Sequence, residues 1–186
     1  ERGAYKPSGS VLPSWFGGIN NDFHYKHFNL SFLVDGKFGN KVLSATSYYS
    51  MYRGLNKNTL AGREDGVTAK GVYEDGSTNT SKTEAQTYYQ NLAVNVSRLH
   101  VLDGSFIKLR QVTLGYNLDP KVLNRTPFSS INVSLVARNL LVLMKHTDNI
   151  DPEAGFSSTI NYAGIEGTSL PSTRSYGINV NFKFKK

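Results

Sequence analysis

Four histidines, His24, His27, His100 and His146, are the residues of this chain best suited to proton transfer or metal ligation. None forms the His-Glu-x-x-His spacing that sets two imidazoles on one helix face around zinc. His24 and His27 fall beside an expected strand turn, where polar rim residues are the ordinary finding. There is no Gly-x-Ser-x-Gly nucleophile elbow and no Walker-type glycine loop. Gly17-Gly18 precedes a strand pattern and not a helix, so a phosphate cradle at a helix N-terminus has no support. The acidic pairs Glu64-Asp65, Glu74-Asp75 and Asp151/Glu153 lie in loop sequence. A glycosidase needs two carboxylates facing each other across a cleft, and these pairs read as solvated loop charges. Asp151-Pro152-Glu153 is a thin basis for a calcium site, which takes six or more oxygens. No enzyme activity, cofactor or resident metal is expected.

Composition narrows the elements that could hold any site. The 186 residues suit one domain or a piece of one. Hydrophobic content is 39%, yet the chain has 11 Tyr, 10 Phe and 17 Gly, which suits strands that are apolar on one face only. No Cys means no disulfide framework, thiol nucleophile or zinc–thiolate cluster. The formal charge of +7 is spread over Lys6, Lys26, Lys37, Lys57, Lys108, Arg110, Arg138 and Arg174 without a stripe. With no DNA- or RNA-binding signature, that is a generally basic surface and no nucleic acid is expected as partner. The start Glu1-Arg2-Gly3 carries no signal peptide, as in a processed protein or an internal fragment. No run approaches the ~20 apolar residues of a spanning helix. A membrane role survives only as a closed barrel.

Period-two alternation is the dominant pattern. Tyr176, Ile178, Val180, Phe182 and Phe184 fall on one face, against Ser175, Gly177, Asn179, Asn181 and Lys183. Phe28, Leu30, Phe32 and Val34 repeat the pattern, as do Val112, Leu114 and Tyr116, and Ile131, Val133 and Leu135. A shorter run sets Ile19, Asn21, Phe23 and Tyr25 against Asn20, Asp22 and His24. Between Tyr25 and Phe28 the apolar phase slips, which a two-residue hairpin at Lys26-His27 explains. Strands are expected near 18–25, 28–39, 104–118, 129–142 and 172–184. The fold class is therefore all-β, about five antiparallel strands, with short helices expected in Lys41–Arg53 and Thr83–Leu99.

The connections alternate in length. Lys26-His27 and Asp119–Ser129 are short, whereas 40–103 and 143–170 are long. Structureless loops beyond ~15 residues are uncommon in soluble domains. Outer-membrane barrels have short periplasmic turns and long external loops. On that reading the chain ends at Lys186 in the periplasm, and the apolar faces named above point at lipid. Lys108 and Arg110 share the phase of Val112 and Leu114, and a lipid-facing Arg costs ~2–4 kcal/mol at the midplane. The upper part of that strand is expected above the hydrocarbon, with an inward-turning bulge as the alternative.

Several strings, in order along nearly the whole chain, resemble the SusC/RagA family of TonB-linked outer-membrane transporters. They are Pro13-Ser14-Trp15-Phe16-Gly17-Gly18-Ile19-Asn20-Asn21, Phe23 to Leu30, Asp103-Gly104-Ser105-Phe106-Ile107-Lys108-Leu109-Arg110-Gln111-Val112-Thr113-Leu114-Gly115-Tyr116, Ala137-Arg138-Asn139-Leu140, Asp151-Pro152-Glu153 and the final Tyr176–Phe184 run. One departure is that Lys185 and Lys186 follow the closing aromatic Phe184. The resemblance implies the C-terminal part of a barrel of about 22 strands with a plugged lumen. The plug and TonB-contacting parts lie N-terminal in that family and are not in this sequence. It further implies a SusD-like lipoprotein lid, TonB energy, and cargo of glycan oligomers or peptides. Trp15, Tyr48, Tyr49, Tyr52, Tyr88, Tyr89, Asp151 and Glu153 are then candidates to touch cargo or lid, although the loop's own packing competes for the tyrosines. Two other readings stay open: a small complete barrel of about eight strands, and a soluble β-sandwich that binds carbohydrate.

Overall fold

The computed structural model describes residues 6–156 and 162–185. Glu1-Arg2-Gly3, residues 157–161 of the expected 143–170 loop, and Lys186 lie outside the described residues.

The principal strands are β1 (Trp15–Tyr25), β2 (Phe28–Phe38), β7 (Phe106–Asn117), β8 (Phe128–Lys145) and β10 (Ser175–Phe184). They form one antiparallel sheet in the order β1-β2-β7-β8-β10. Between them lie β3 (Lys41–Ser44), α1 (Ala45–Tyr52), β4 (Val67–Thr68), β5 (Lys82–Thr83), α2 (Ala85–Asn95), β6 (Val101–Asp103), α3 (Pro120–Leu123) and β9 (Ile165–Glu166).

Local chemistry sets the short connections. Lys26-His27 joins β1 to β2, with Tyr25 opposite Phe28. Lys26 takes a φ of +52°, which the two-residue turn demands and a glycine would supply with less strain. At the other short turn, Asp119 caps α3 by accepting from the Lys121 backbone N–H at 2.8 Å, and Pro120 fills the first helical position. The Lys185 ammonium donates to the Leu123 and Asn124 carbonyls, each at 2.9 Å. That contact ties the end of β10 to the β7–β8 turn. Both short turns and the end of β10 therefore lie at one end of the sheet.

The long connections build a cap at the other end. There β3 pairs antiparallel with β6 and parallel with β9, so the two loops share one three-stranded sheet. Helices α1 and α2 pack beside it, and Val42, Met51, Ala85, Tyr89, Ala93, Phe106 and Ile150 are buried. The two-strand ribbon β4–β5 was not visible in the sequence, where Gly62–Asn79 reads as turn and coil.

The large sheet has no second sheet against its apolar face among the described residues. Its strands have lengths a membrane would require. At ~3.3 Å per residue, β1 runs roughly 33 Å, or about 25 Å of height at the 35–45° tilt of barrel strands.

Candidate functional site

The register gathers the sequence-derived apolar residues into ladders on one face. Phe28 pairs with Tyr116, Tyr116 with Val133 and Val133 with Val180. Leu30 aligns with Leu114, Leu135 and Ile178, while Phe32 aligns with Val112, Ala137 and Tyr176. Val34 faces Ile19, and Ile131 faces Phe182. Most of these side chains are bare: Ile178 is 72% exposed and Phe184 63%. Aromatics edge this face at both ends. Trp15 lies 5.5 Å from Phe38 at the cap end. At the short-turn end Phe28 meets Tyr116 at 4.9 Å, and Phe128 meets Phe182 and Phe184 at 5.5 and 5.2 Å. Phe128 escaped sequence reading because a register shift next to Phe184 alters its phase.

The opposite face is polar. Asn132 donates to Asn29 and Asn117, and Ser134 to Asn132. Gly115 lies under Asn29, whose amide occupies the space a Cβ would fill. Ser31, Thr113, Gln111, Asn179 and Asn181 carry the same face along the strands.

Lys108 and Arg110 join this polar face, and a bulge puts them there. Leu33 pairs with Gln111 and Val34 with Leu109, so Arg110 is an extra residue in β7. Arg110 and Gln111 are thereby adjacent in sequence yet on the same side, and the parity of the strand reverses between Lys108 and Val112. Strict alternation, with the upper strand lifted out of the hydrocarbon, gives way to the inward-turning alternative. Strand β8 is irregular at the same level, where Asn139 takes a φ of +51°.

There the inward cations meet three carboxylates. The Lys108 ammonium, whose side chain is 2% exposed, donates to Asp151 Oδ1 at 2.7 Å and Glu153 Oε2 at 2.6 Å. Arg110 donates to both oxygens of Asp35, at 2.8–3.1 Å, and to both of Glu153, at 2.9 and 3.0 Å. Asp151 also accepts from the Ser172 N–H at 3.0 Å and the Ser172 hydroxyl at 2.5 Å. Burial alone would raise the Asp151 carboxyl, but the bonds from Lys108 and Ser172 outweigh it and hold the group well below the carboxylate range. Burial and the bonds from Arg110 and Lys108 balance in the same way to lower Glu153. Asp151 and Glu153 are thus the feet of a strut between the second long loop and the sheet wall, not freely solvated loop charges.

The tyrosine candidates belong to the cap. Tyr48 lies between Tyr49, Tyr52 and His100, with ring centroids at 5.1, 5.8 and 5.5 Å. Tyr88 and Tyr89 stack edge-on at 5.2 Å, and the buried Tyr89 hydroxyl donates to the Ala61 carbonyl. Tyr49 stands 51% exposed. His100 is buried between the Ala93 carbonyl and the Ser47 hydroxyl. The buried Glu166 accepts from Ser44, Thr46 and Ser169, which fastens the second loop to the start of α1. Burial raises its pKa, but those bonds from Ser44 and Thr46 lower it overall. Asp35, Asn139, Phe128 and Glu166 were missed. Only the misplaced phase of Lys108 and Arg110 pointed to the polar cluster.

No family model matches the chain. It is 26% identical over 184 residues to TonB-dependent receptor P3 of Formosa agariphila, covering 95% of this chain and 17% of the receptor. TonB-dependent receptor P39 of the same organism is 26% identical over 185 residues, with the same coverages. Among solved structures, the RagAB peptide importer in its closed-closed state superposes with a TM-score of 0.61 at 17% identity, over 95% of this chain and 18% of that one. The RagAB peptide transporter gives 0.62 at 19% identity, over 94% and 17%. Homologues of this chain are TonB-dependent receptors, and its fold is that of a segment of such a barrel. The chain spans about a sixth of the length of the curated relatives it matches.

Proposed function

We propose that this chain, homologous almost throughout to TonB-dependent receptors, supplies wall strands and external loops of an outer-membrane importer and carries out no chemistry of its own. The observation that carries this is the two-faced sheet. One face is a continuous, bare apolar ladder edged by aromatics, the other a hydrogen-bonded polar surface. Water would penalise the first face and hydrocarbon the second, so each has its solvent only in a barrel wall.

In this reading β1 and β10 pair with the remainder of the barrel, and Asn29, Ser31, Asn132, Ser134, Asn179 and Asn181 line the lumen or touch the plug. The short turns and the C-terminal end of β10 lie in the periplasm, and the cap faces outward under a SusD-like lipoprotein. TonB, acting through parts of the protein outside this chain, provides energy, and the cargo is a glycan oligomer or a peptide. Of the aromatic candidates, exposed Tyr49 is the best placed to touch lid or cargo.

This chain has no Cys, so once any cysteine elsewhere in the complete polypeptide is replaced by Ser, single cysteines at positions 176–182 can each carry a nitroxide. Oxygen accessibility should peak at 176, 178, 180 and 182, and that of a water-soluble nickel complex at 177, 179 and 181. Low access of both reagents at 176, 178, 180 and 182 would mean a face packed against protein and replace the barrel with the soluble carbohydrate-binding sandwich. Equal access of the nickel complex to both sets would remove the lipid-facing assignment.

A further inference from the structure

The cap holds a cavity of its own, and none of the strut residues lines it. It has a volume of about 550 Å³ and lies between α1, the turn at Lys57–Thr59 and the start of α2. That is within the ~300–1,000 Å³ of ordinary small-ligand sites. Part of its lining is apolar and fixed, because Met51, Ala85 and Tyr89 are buried.

Three planar polar groups of the lining are each held at one side and open at the other. Arg63 donates from Nε and Nη2 to the Thr59 carbonyl, the Thr59 hydroxyl and the Gly54 carbonyl, while its Nη1 has no partner among the described residues. Glu84 accepts from the Thr87 hydroxyl through Oε2 at 3.2 Å, and its Oε1 is unused among the described residues. Gln90 donates from Nε2 to the Tyr52 carbonyl at 3.4 Å, and its Oε1 is likewise unused. Gln86, in the same lining, has no side-chain hydrogen bond among the described residues.

Donors and acceptors thus stand side by side next to an apolar surface. A sugar unit has the matching chemistry. Each hydroxyl both donates and accepts, neighbouring hydroxyls span one edge of a guanidinium, carboxylate or amide, and the C–H face of the ring is apolar. Groups already anchored lose little freedom on binding. An extended peptide is less well matched, because helix ends and turns line the cavity and offer no strand edge for it to join.

We infer that this cavity binds one sugar unit of a glycan through Arg63, Glu84, Gln86 and Gln90, as a capture site on the cap separate from the polar face of the sheet. The site stands whichever solvent the sheet faces; that capture feeds import rests on the importer reading.

The experiment is an oligosaccharide microarray, with hexapeptides printed beside the sugars, probed with the complete polypeptide in a detergent that has no sugar headgroup. Variants are Gln86→Ala and Glu84→Ala, neither of which removes a helix-cap bond, with Thr78→Ala on the β4–β5 ribbon as control. Binding is normalised to the heat-modifiable fraction of each. At least one oligosaccharide should bind, both cavity variants should weaken it at least fivefold, and Thr78→Ala should leave it unchanged. An array with no bound sugar would overturn the inference. So would sugar binding that the cavity variants leave intact, which places the site elsewhere, or hexapeptide binding that the same variants abolish. If nitroxide accessibility alternates along 176–182 but no sugar binds, the barrel stands and only the capture site falls. If the cavity variants lose a bound sugar while the nitroxides report a face packed against protein, the capture site stands and the importer reading falls.

Discussion

Lys108 holds the second long loop to the wall. Its ammonium is nearly inaccessible and sits on two carboxylates, one of which, Asp151, is itself largely buried. Removing one partner of such a pair strands the other, at a cost of ~3–5 kcal/mol. In Lys108→Met, amide exchange over 149–153 should accelerate roughly a hundredfold, the rate equivalent of the lower part of that range. The pH response has a definite sign. Asp151 and Glu153 are lowered on folding, so their contribution is complete above the ordinary carboxylate pKa of ~4 and is lost as pH falls below it. Protection of this loop, corrected for intrinsic exchange, should be level from about pH 7 to 5 and decline below about pH 4. Loss of protection on raising the pH from 5 to 7 would contradict the strut. In the sequence, Asp151-Pro152-Glu153 stood as an acidic loop string, because nothing local reports that Lys108, 43 residues away, turns toward it.

At the scale of elements, the bulge at Arg110 lets one strand serve two environments. Below it Val112, Leu114 and Tyr116 face out, and above it Phe106 and Lys108 face in. Adjacent positions should therefore answer oppositely to charge. Val112→Arg places a guanidinium among Phe32 and Ala137 on the apolar ladder, at a cost of up to ~2–4 kcal/mol near the midplane. Thr113→Arg points to the polar face and should be nearly neutral. The heat-modifiable fraction on unboiled gels measures both, with a loss of folded protein for the first only. Equal loss for the two would mean the register of β7 is wrong. The alternation of β2, β10 and the lower part of β7 was legible because side chains alternate strictly in any paired strand. The bulge itself showed only as two cations in an apolar phase. A ladder's extra residue is defined by its partner strands, which no local window contains.

The whole molecule is a two-sided object with open edges. No described strand covers the outer edge of β1 or of β10, and the apolar ladder lies bare between them. An exposed apolar sheet with free edges self-associates in water. Light scattering on the isolated 186-residue chain should find aggregates in plain buffer, and particles well above 20.6 kDa wherever detergent keeps it soluble. A monodisperse 20.6 kDa monomer without detergent would remove the membrane assignment. The cap adds a second layer to this picture. It is stitched to the wall through Lys108, Arg110 and the Phe106 side chain, so loops and wall move as neighbours and not as independent parts.

The sequence by itself determined the class of fold, the strand spacing, the apolar face and the alternation of short and long connections. Those are properties of period, composition and chain length, and each is written locally. Its strings also pointed to the family of receptors that the homologues represent. Only the tertiary structure decided where Arg110 and Lys108 turn, which carboxylates meet them, and that β3 and β9, 122 residues apart at Ser44 and Glu166, share a sheet and a buried hydrogen bond. Such contacts depend on where distant segments lie when the hydrophobic faces are satisfied. Many loop sequences meet that condition equally well, so the pairing is settled by packing and not by pattern.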